Sequence, residues 1–276
     1  MKFSVSMSVY ENDSPIFFKA AFDSILNQTI IPSEVVLVVD GPIPNSLKDV
    51  VITFEKDYED IIVIWLDENK GHGLARKIGV ENCSHEIVAL MDSDDLSVPD
   101  RFEKQIDCLK NDPALSIVGG YIEEFLDNPE NKVGLRVVPL SNDKILHNLK
   151  LRSPMNQVSV MFRKSDVISA GGYLDWHFNE DYYLWIRMFL KGCTFKNIPE
   201  TLVKVRIGKN MYRRRGGIKY FVSEYKLQKF MLLKKIISIP RFIINVMMRF
   251  LLQIIFTSSL RAFIFRKFAR KGLENV

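Results

Sequence analysis

The chain has 276 residues, 47% of them apolar and 26% charged, which suits one large globular domain or a domain with an appendage. Its three cysteines, Cys83, Cys108 and Cys193, show no paired spacing, which argues against a disulfide framework or a zinc site and fits a reducing interior. The net charge of +5 divides unevenly, because residues 210–276 hold 15 Lys and Arg against Glu224 and Glu274, a net of +13, and the first 209 residues therefore carry −8. An acidic body with a basic tail predicts an anionic partner for the tail: lipid headgroups, nucleic acid or a phosphorylated substrate.

The N-terminus turns polar after nine residues and lacks the apolar length and cleavage site of a signal peptide, so a cytoplasmic location is expected. Phe3–Val9 reads as a buried strand. Ser14-Pro15 then caps and opens a helix that turns Phe18, Ala21, Phe22 and Ile25 inward. Glu34–Val39 is a second strand, stopped by Asp40-Gly41-Pro42. Helix 47–58, strand 61–66, helix 73–82 and strand 86–91 follow. Apolar strands alternating with helices predict a parallel sheet covered on both faces, with ligands beyond the carboxyl ends of its strands. Tyr10-Glu11, Asp40 and Asp92-Ser93-Asp94-Asp95 all fall there.

The second half is less regular. The sequence predicts a helix over 99–110, strands over Leu115–Phe125, 133–138 and 158–162, and a helix over 143–150, so the sheet becomes mixed. Gly171-Gly172-Tyr173 breaks the chain before a helix over 179–191 that opens on Asn179-Glu180-Asp181. Helical sequence then runs to Ser238, and Pro240 opens a further segment to about residue 270. Its longest run without a formal charge is 11 residues, 250–260, too short for a membrane span of about 20. Drawn as one helix over 241–271 at about 100° per residue, Arg241, Arg249, Arg266, Lys267 and Arg270 share an arc of about 100°, with Arg261 outside it and Leu252, Phe256 and Phe263 within it. That imperfect pattern reads as a basic interfacial helix on an anionic leaflet, the bland alternative being a helix packed on the body or on a second subunit.

Three carboxylates in Asp92-Ser93-Asp94-Asp95 repel one another and are costly to bury. A hard divalent cation, Mg²⁺ or Mn²⁺, removes that difficulty. If the strand pairing continues through Asp92, then Asp92 and Asp94 lie on one side of the chain, able to hold a cation that bridges two phosphates. Asp95 and Ser97 read as solvated residues of the turn that leads, through Pro99, into the next helix. Asp40 can accept from a base N–H or ribose hydroxyls, or simply close an Asp-Gly-Pro turn, and Arg76 can reach a nucleotide or be a solvated helix residue. Gly71-His72-Gly73 lacks the lysine–serine pair of a phosphate loop and the dinucleotide fingerprint, and His72 reads as a surface residue.

Taken in order, FSVSMSVYEND at 3–13, SILNQTIIPSEVVLVVDGP at 24–42, ENKGHGLARKIG at 68–79, ALMDSDDLSVPDRFEKQI at 89–106, PMNQVSVMFRKS at 154–165 and NEDYYLWIRM at 179–188 resemble the family 2 inverting glycosyltransferases, particularly the amylovoran-type branch of bacterial surface-polysaccharide assembly. The resemblance covers roughly residues 3–225. It implies an α/β GT-A fold with a mixed central sheet, its nucleotide-binding half over about 1–110 and its acceptor half over about 111–210, followed by the basic helical tail 211–276. It places Val9, Tyr10, Glu11, Asp40, Arg76 and Ser93 at the nucleotide sugar, Asp92 and Asp94 in a DXD motif holding Mn²⁺ or Mg²⁺, and Asp181 of the ED motif as general base. A helix N-terminus keeps Asp181 ionised near pH 7, fit to take an acceptor hydroxyl's proton.

Gln157 stands where relatives often carry histidine and Leu90 where many carry arginine, which touches substrate choice rather than metal or base. The Q/RxxRW motif of processive synthases is absent, so one sugar per encounter is expected. Arg206 and Arg213-Arg214-Arg215 suit a diphosphate or a surface patch equally. The expected activity is metal-dependent transfer from a nucleoside diphosphate sugar to a polyprenyl-diphosphate-linked glycan at the inner face of the plasma membrane. A homodimer is allowed and nucleic acid is not expected. The rival readings are a nucleotidyltransferase that makes sugar nucleotides and a non-enzymatic membrane-binding protein.

Overall fold

The computed structural model describes residues 1–208, 216–257, 260, 261 and 264. The Arg213–Arg215 cluster, Phe263, Arg266, Lys267 and Arg270 lie outside the described residues. The first half alternates strand and helix: β1 (Phe3–Val9), α1 (Pro15–Leu26), β2 (Glu34–Val39), α2 (Asn45–Asp57), β3 (Ile61–Trp65), α3 (His72–Asn82) and β4 (Ile87–Leu90). Then come β5 (Leu96–Ser97), α4 (Arg101–Asn111), β6 (Leu115–Phe125), β7 (Lys132–Arg136), α5 (Asn142–Leu149), β8 (Met161–Arg163), α6 (Lys164–Ser169), α7 (Glu180–Leu190) and β9 (Thr194–Arg206). Helices α8 (Ile218–Leu233) and α9 (Ile239–Phe250) follow, and a π-helical turn, Leu251–Ile255, continues α9.

The nine strands among the described residues form one mixed sheet of order β3-β2-β1-β4-β8-β6-β9-β5, with β7 pairing on β6. Strands β3, β2, β1 and β4 are parallel, β8 runs antiparallel between β4 and β6, and β9 is parallel to β6. The order 3-2-1-4 reverses between β1 and β4, so loops leaving their carboxyl ends flank a topological switch point, where a doubly wound sheet opens a crevice.

The alternation in β1 decides how the faces are covered. Phe3, Val5, Met7 and Val9 enter a core shared with α1, α2 and α4. Ser4 and Ser6 face the other way: Ser4 donates to Glu34 at 2.7 Å, and a methyl at Gly79 would meet Ser6 Oγ at 2.4 Å. Glycine on α3 therefore lets that helix lie directly on β1. The second core gathers residues from α3, α5, α6, α7 and α8 around Phe162 and Trp185.

Several expectations change. The strand foreseen over 158–162 is a 3₁₀ turn, Gln157–Ser159, followed by β8. There Ser159 and Asn156 bond to Gly120 of β6 instead of extending the ladder. Strand β9 has no counterpart in the predicted elements, because Pro199-Glu200 interrupts its pattern; the sheet absorbs them as a register shift opposite Gly120-Tyr121. The single helix over 241–271 does not form, since the chain leaves helical geometry at Phe256. Nor does Arg249 join a basic outer arc: it is buried, its Nε donating to Glu224. Among the described residues, no helix is long and apolar enough to cross a membrane.

Candidate active site

Two loops meet at the switch point. After β1, the Tyr10 N–H donates to Asp13 Oδ2 at 3.1 Å. After β4, buried Ser93 donates its hydroxyl to the same oxygen at 2.8 Å. Asp13 therefore ties the Tyr10-Glu11 turn to the acidic loop. Tyr10 and Glu11 are exposed beside it. Val9 is different: its side chain is buried, and its carbonyl accepts the Asp40 N–H at 2.8 Å.

Arg76 on α3 is buried and joins two motifs 88 residues apart in the chain. One guanidinium nitrogen lies 2.5 Å from Asp92 Oδ1, the other 3.3 Å from Glu180 Oε1. Burial opposes ionisation of Asp92 most strongly, but Arg76, His72 and Arg101 together overcome it and hold that carboxyl below the usual range. Arg76 is thus not a solvated helix residue. Glu180, at the start of α7, is pushed up to about 7 by burial and then by the Asp181 charge, against the pull of Arg76. Asp181 follows in the first helical turn, where the dipole favours a carboxylate. Its Oδ2 accepts from Ser153 Oγ at 3.5 Å. His72 is more than half exposed, 3.9 Å from Glu180.

Asp94 is pushed up to about 6 by burial, then by Asp92 and Asp13. The Asp92 and Asp13 charges beside buried Asp94 make a setting that a divalent cation would relieve. Asp92 already faces Arg76, which leaves Asp94 the better placed of the two to hold a cation. No group of three or more His, Cys, Asp and Glu among the described residues is arranged to hold a metal, so a cation on these carboxylates would take further ligands from substrate or water.

Asp95 departs from the solvated role expected of it. It is buried, raised well above the ordinary carboxylate by burial and by Asp94, and accepts the Arg206 N–H at 2.8 Å. Ser97 is buried as well, its N–H donating to Ser24 Oγ. The Arg206 side chain is held by the Asp94 and Asp127 carbonyls, with its guanidinium 3.8 Å from the Phe17 ring centroid and 4.6 Å from that of Phe125. Asp40 stands apart from the cluster, accepting from the Lys70 and Gly71 N–H groups at 2.6 and 3.1 Å. It braces the loop before α3, and carboxylate lone pairs remain for a ligand.

Three residues received no role from the sequence. Asp13 was visible as an acid beyond β1, but nothing in the spacing told which loop it would bind. Arg101, buried behind the acidic loop, donates to the Leu90 carbonyl at 2.7 Å, and its guanidinium is pushed down to about 9 by burial. Ser153 precedes the 3₁₀ turn and left no signal at all.

Comparison with known proteins shows the family and the fold. Residues 4–171 match the model of Glycosyl transferase family 2. A UDP-Gal:alpha-D-GlcNAc-diphosphoundecaprenol beta-1,3-galactosyltransferase of Escherichia coli is 37% identical over 272 residues, 99% of this chain and 98% of the relative. The amylovoran biosynthesis glycosyltransferase AmsE of Erwinia amylovora is 38% identical over 233 residues, covering 84% and 86%. Among solved structures, a mannosyltransferase of Pyrobaculum calidifontis, in complex with GDP-Man and Mn²⁺, superposes with a TM-score of 0.59 at 16% identity, covering 91% of this chain and 70% of that one. That likeness shows the fold, which is the GT-A type. The chain belongs to glycosyl transferase family 2 and is a glycosyltransferase.

Proposed function

We propose that the protein transfers one sugar, with inversion, from a nucleoside diphosphate sugar to a hydroxyl of a polyprenyl-diphosphate-linked glycan in bacterial surface-polysaccharide synthesis. The observation that carries this reading is the Arg76 bridge between Asp92 and Glu180, because it sets the acidic loop and the expected base, Asp181, on one rigid link. Tyr10, Glu11, Val9 and Asp40 border the nucleoside, with Arg76, Ser93 and Arg206 ordering the loop that receives the diphosphate. A divalent cation held by Asp94 and Asp92, when bound, neutralises charge on the departing diphosphate. Asp181 accepts the acceptor hydroxyl's proton as that oxygen bonds to the anomeric carbon and the bond to the diphosphate breaks on the opposite face. Its place in the first turn of α7 supports a charged, proton-accepting form.

Residues 1–210 would carry this chemistry, while 211–276 hold the enzyme at the inner face of the plasma membrane, where such an acceptor is found. The relative's name supports the acceptor class, and the mannosyltransferase complex supports a nucleotide sugar with Mn²⁺. The test is nucleoside diphosphate release from a donor panel that includes UDP-galactose and GDP-mannose, with lipid-linked acceptor, in Mn²⁺ and in chelator. Acceptor-dependent, metal-dependent release of nucleoside diphosphate is expected. Release of pyrophosphate instead would reveal a nucleotidyltransferase.

A further inference from the structure

Helix α9 packs Phe242 on the second core but also turns a row of polar residues inward. At every fourth residue Asn245, Arg249 and Gln253 point inward and are buried. Asn245 Nδ2 donates to the Lys150 carbonyl at 2.9 Å and to Gln228 at 2.8 Å. Arg249 pairs with Glu224 and donates to the Leu151 carbonyl at 2.6 Å. The opposite row, also at every fourth residue, is Ile239, Ile243, Met247, Leu251 and Ile255, and all five are exposed, Ile239 at 65% and Met247 at 60%. A helix on a water-soluble surface shows the reverse arrangement, apolar residues inward and polar residues outward. An apolar row of this length facing outward marks a contact surface.

Lipid suits that surface better than a second copy. Lys234 and Lys235 are exposed at the corner between α8 and α9, and residues 210–276 carry a net charge of +13. An isologous contact through this row would press two such segments together, whereas anionic headgroups complement them. Residues 239–255 extend about 25 Å, short of the roughly 30 Å of a hydrocarbon core, so the row can lie in an interface without spanning it.

We propose that the Ile239–Ile255 row inserts into the headgroup–acyl boundary of an anionic bilayer, making α9 a monotopic membrane helix. This deepens the reading given above and rests on it for the lipid-linked acceptor. The inward side of the same helix supplies the connection to chemistry. It grips the Lys150 and Leu151 carbonyls, and two residues further on Ser153 touches Asp181. Docking through the outer row therefore fixes the acceptor side of the site relative to the bilayer. The contact is apolar, where the sequence alone had suggested a basic arc.

Flotation of the full-length chain with phosphatidylglycerol-containing vesicles, compared with pure phosphatidylcholine vesicles, tests the proposal. Wild type should float with the anionic vesicles, and Met247→Glu combined with Leu251→Glu should lower the bound fraction about tenfold. Ile243→Ser, a milder change on the same exposed row, should give a smaller loss in the same direction. No flotation of wild type, or equal flotation of all three, would overturn it. So would a wild-type dimer in light scattering that the double variant converts to monomer, since the row would then be an interface between copies. Sugar transfer to a detergent-dispersed acceptor without flotation would leave the enzyme reading standing and remove this one. Flotation without transfer would support docking while removing the proposed chemistry.

Discussion

Asp94 and Asp181 divide the proposed reaction between them, and single substitutions separate their roles. Asp94→Ala removes the carboxylate whose environment most calls for a cation, so donor affinity in Mn²⁺ should fall at least about tenfold, with little change in chelator, by calorimetry. Asp181→Asn keeps the shape and loses the proton acceptor, so turnover should fall about a thousandfold while donor affinity stays within about twofold. Glu180 gives a pH signature. Its folded value of about 7 lies above the ordinary 4.5, so the folded state holds the extra proton between those values. Stability from this group is therefore greatest at low pH and is lost as pH rises through about 7. Because the side chain is nearly buried, Glu180→Gln should match wild type near pH 5 and exceed it by about 2 kcal/mol near pH 8 in denaturant titrations.

Elements place these residues through a few backbone requirements. Gly41 follows Asp40 at φ +84°, and a Cβ there would lie 2.5 Å from the Asn69 nitrogen. Only glycine lets the end of β2 pass so close to the loop whose Lys70 and Gly71 amides bind Asp40. Gly41→Ala should lower the melting temperature by about 5 °C and weaken donor binding, as that loop shifts from Asp40. The Asp-Gly-Pro signal for this turn was plain in the sequence. Strand β9 was not, because its pairing residues are split by Pro199, and only the register shift against β6 restores the ladder. That strand delivers Arg206 to Asp94 and Asp95, so a missed element also hid how the acidic loop is held.

At the scale of the whole molecule, the carboxyl-terminal helices are tied to the body by polar contacts under an apolar exterior. The Arg249–Glu224 pair is about nine-tenths buried on both sides. Glu224→Ala leaves a buried guanidinium with only carbonyl partners, and should cost about 3 kcal/mol in equilibrium unfolding. If α9 orders the segment that reaches Ser153, the same variant should also lower transfer while leaving donor affinity intact. Arg76 performs a similar service between the two halves of the sheet, linking α3 to α7 across the site.

Local patterns determined much of this protein. The parallel strands β1 to β4, the inward face of α1, the acidic loop after β4 and the Glu180-Asp181 helix start are each read from neighbouring residues, since period and turn chemistry act within a few positions. Tertiary structure alone decided the rest: that Asp13 belongs with Ser93, that Arg76 spans from Asp92 to Glu180, that Asp95 is buried under Arg206, and that α9 turns its polar side inward. Each depends on partners distant in sequence, and a charge's partner, unlike its periodicity, is fixed only when the chain is packed.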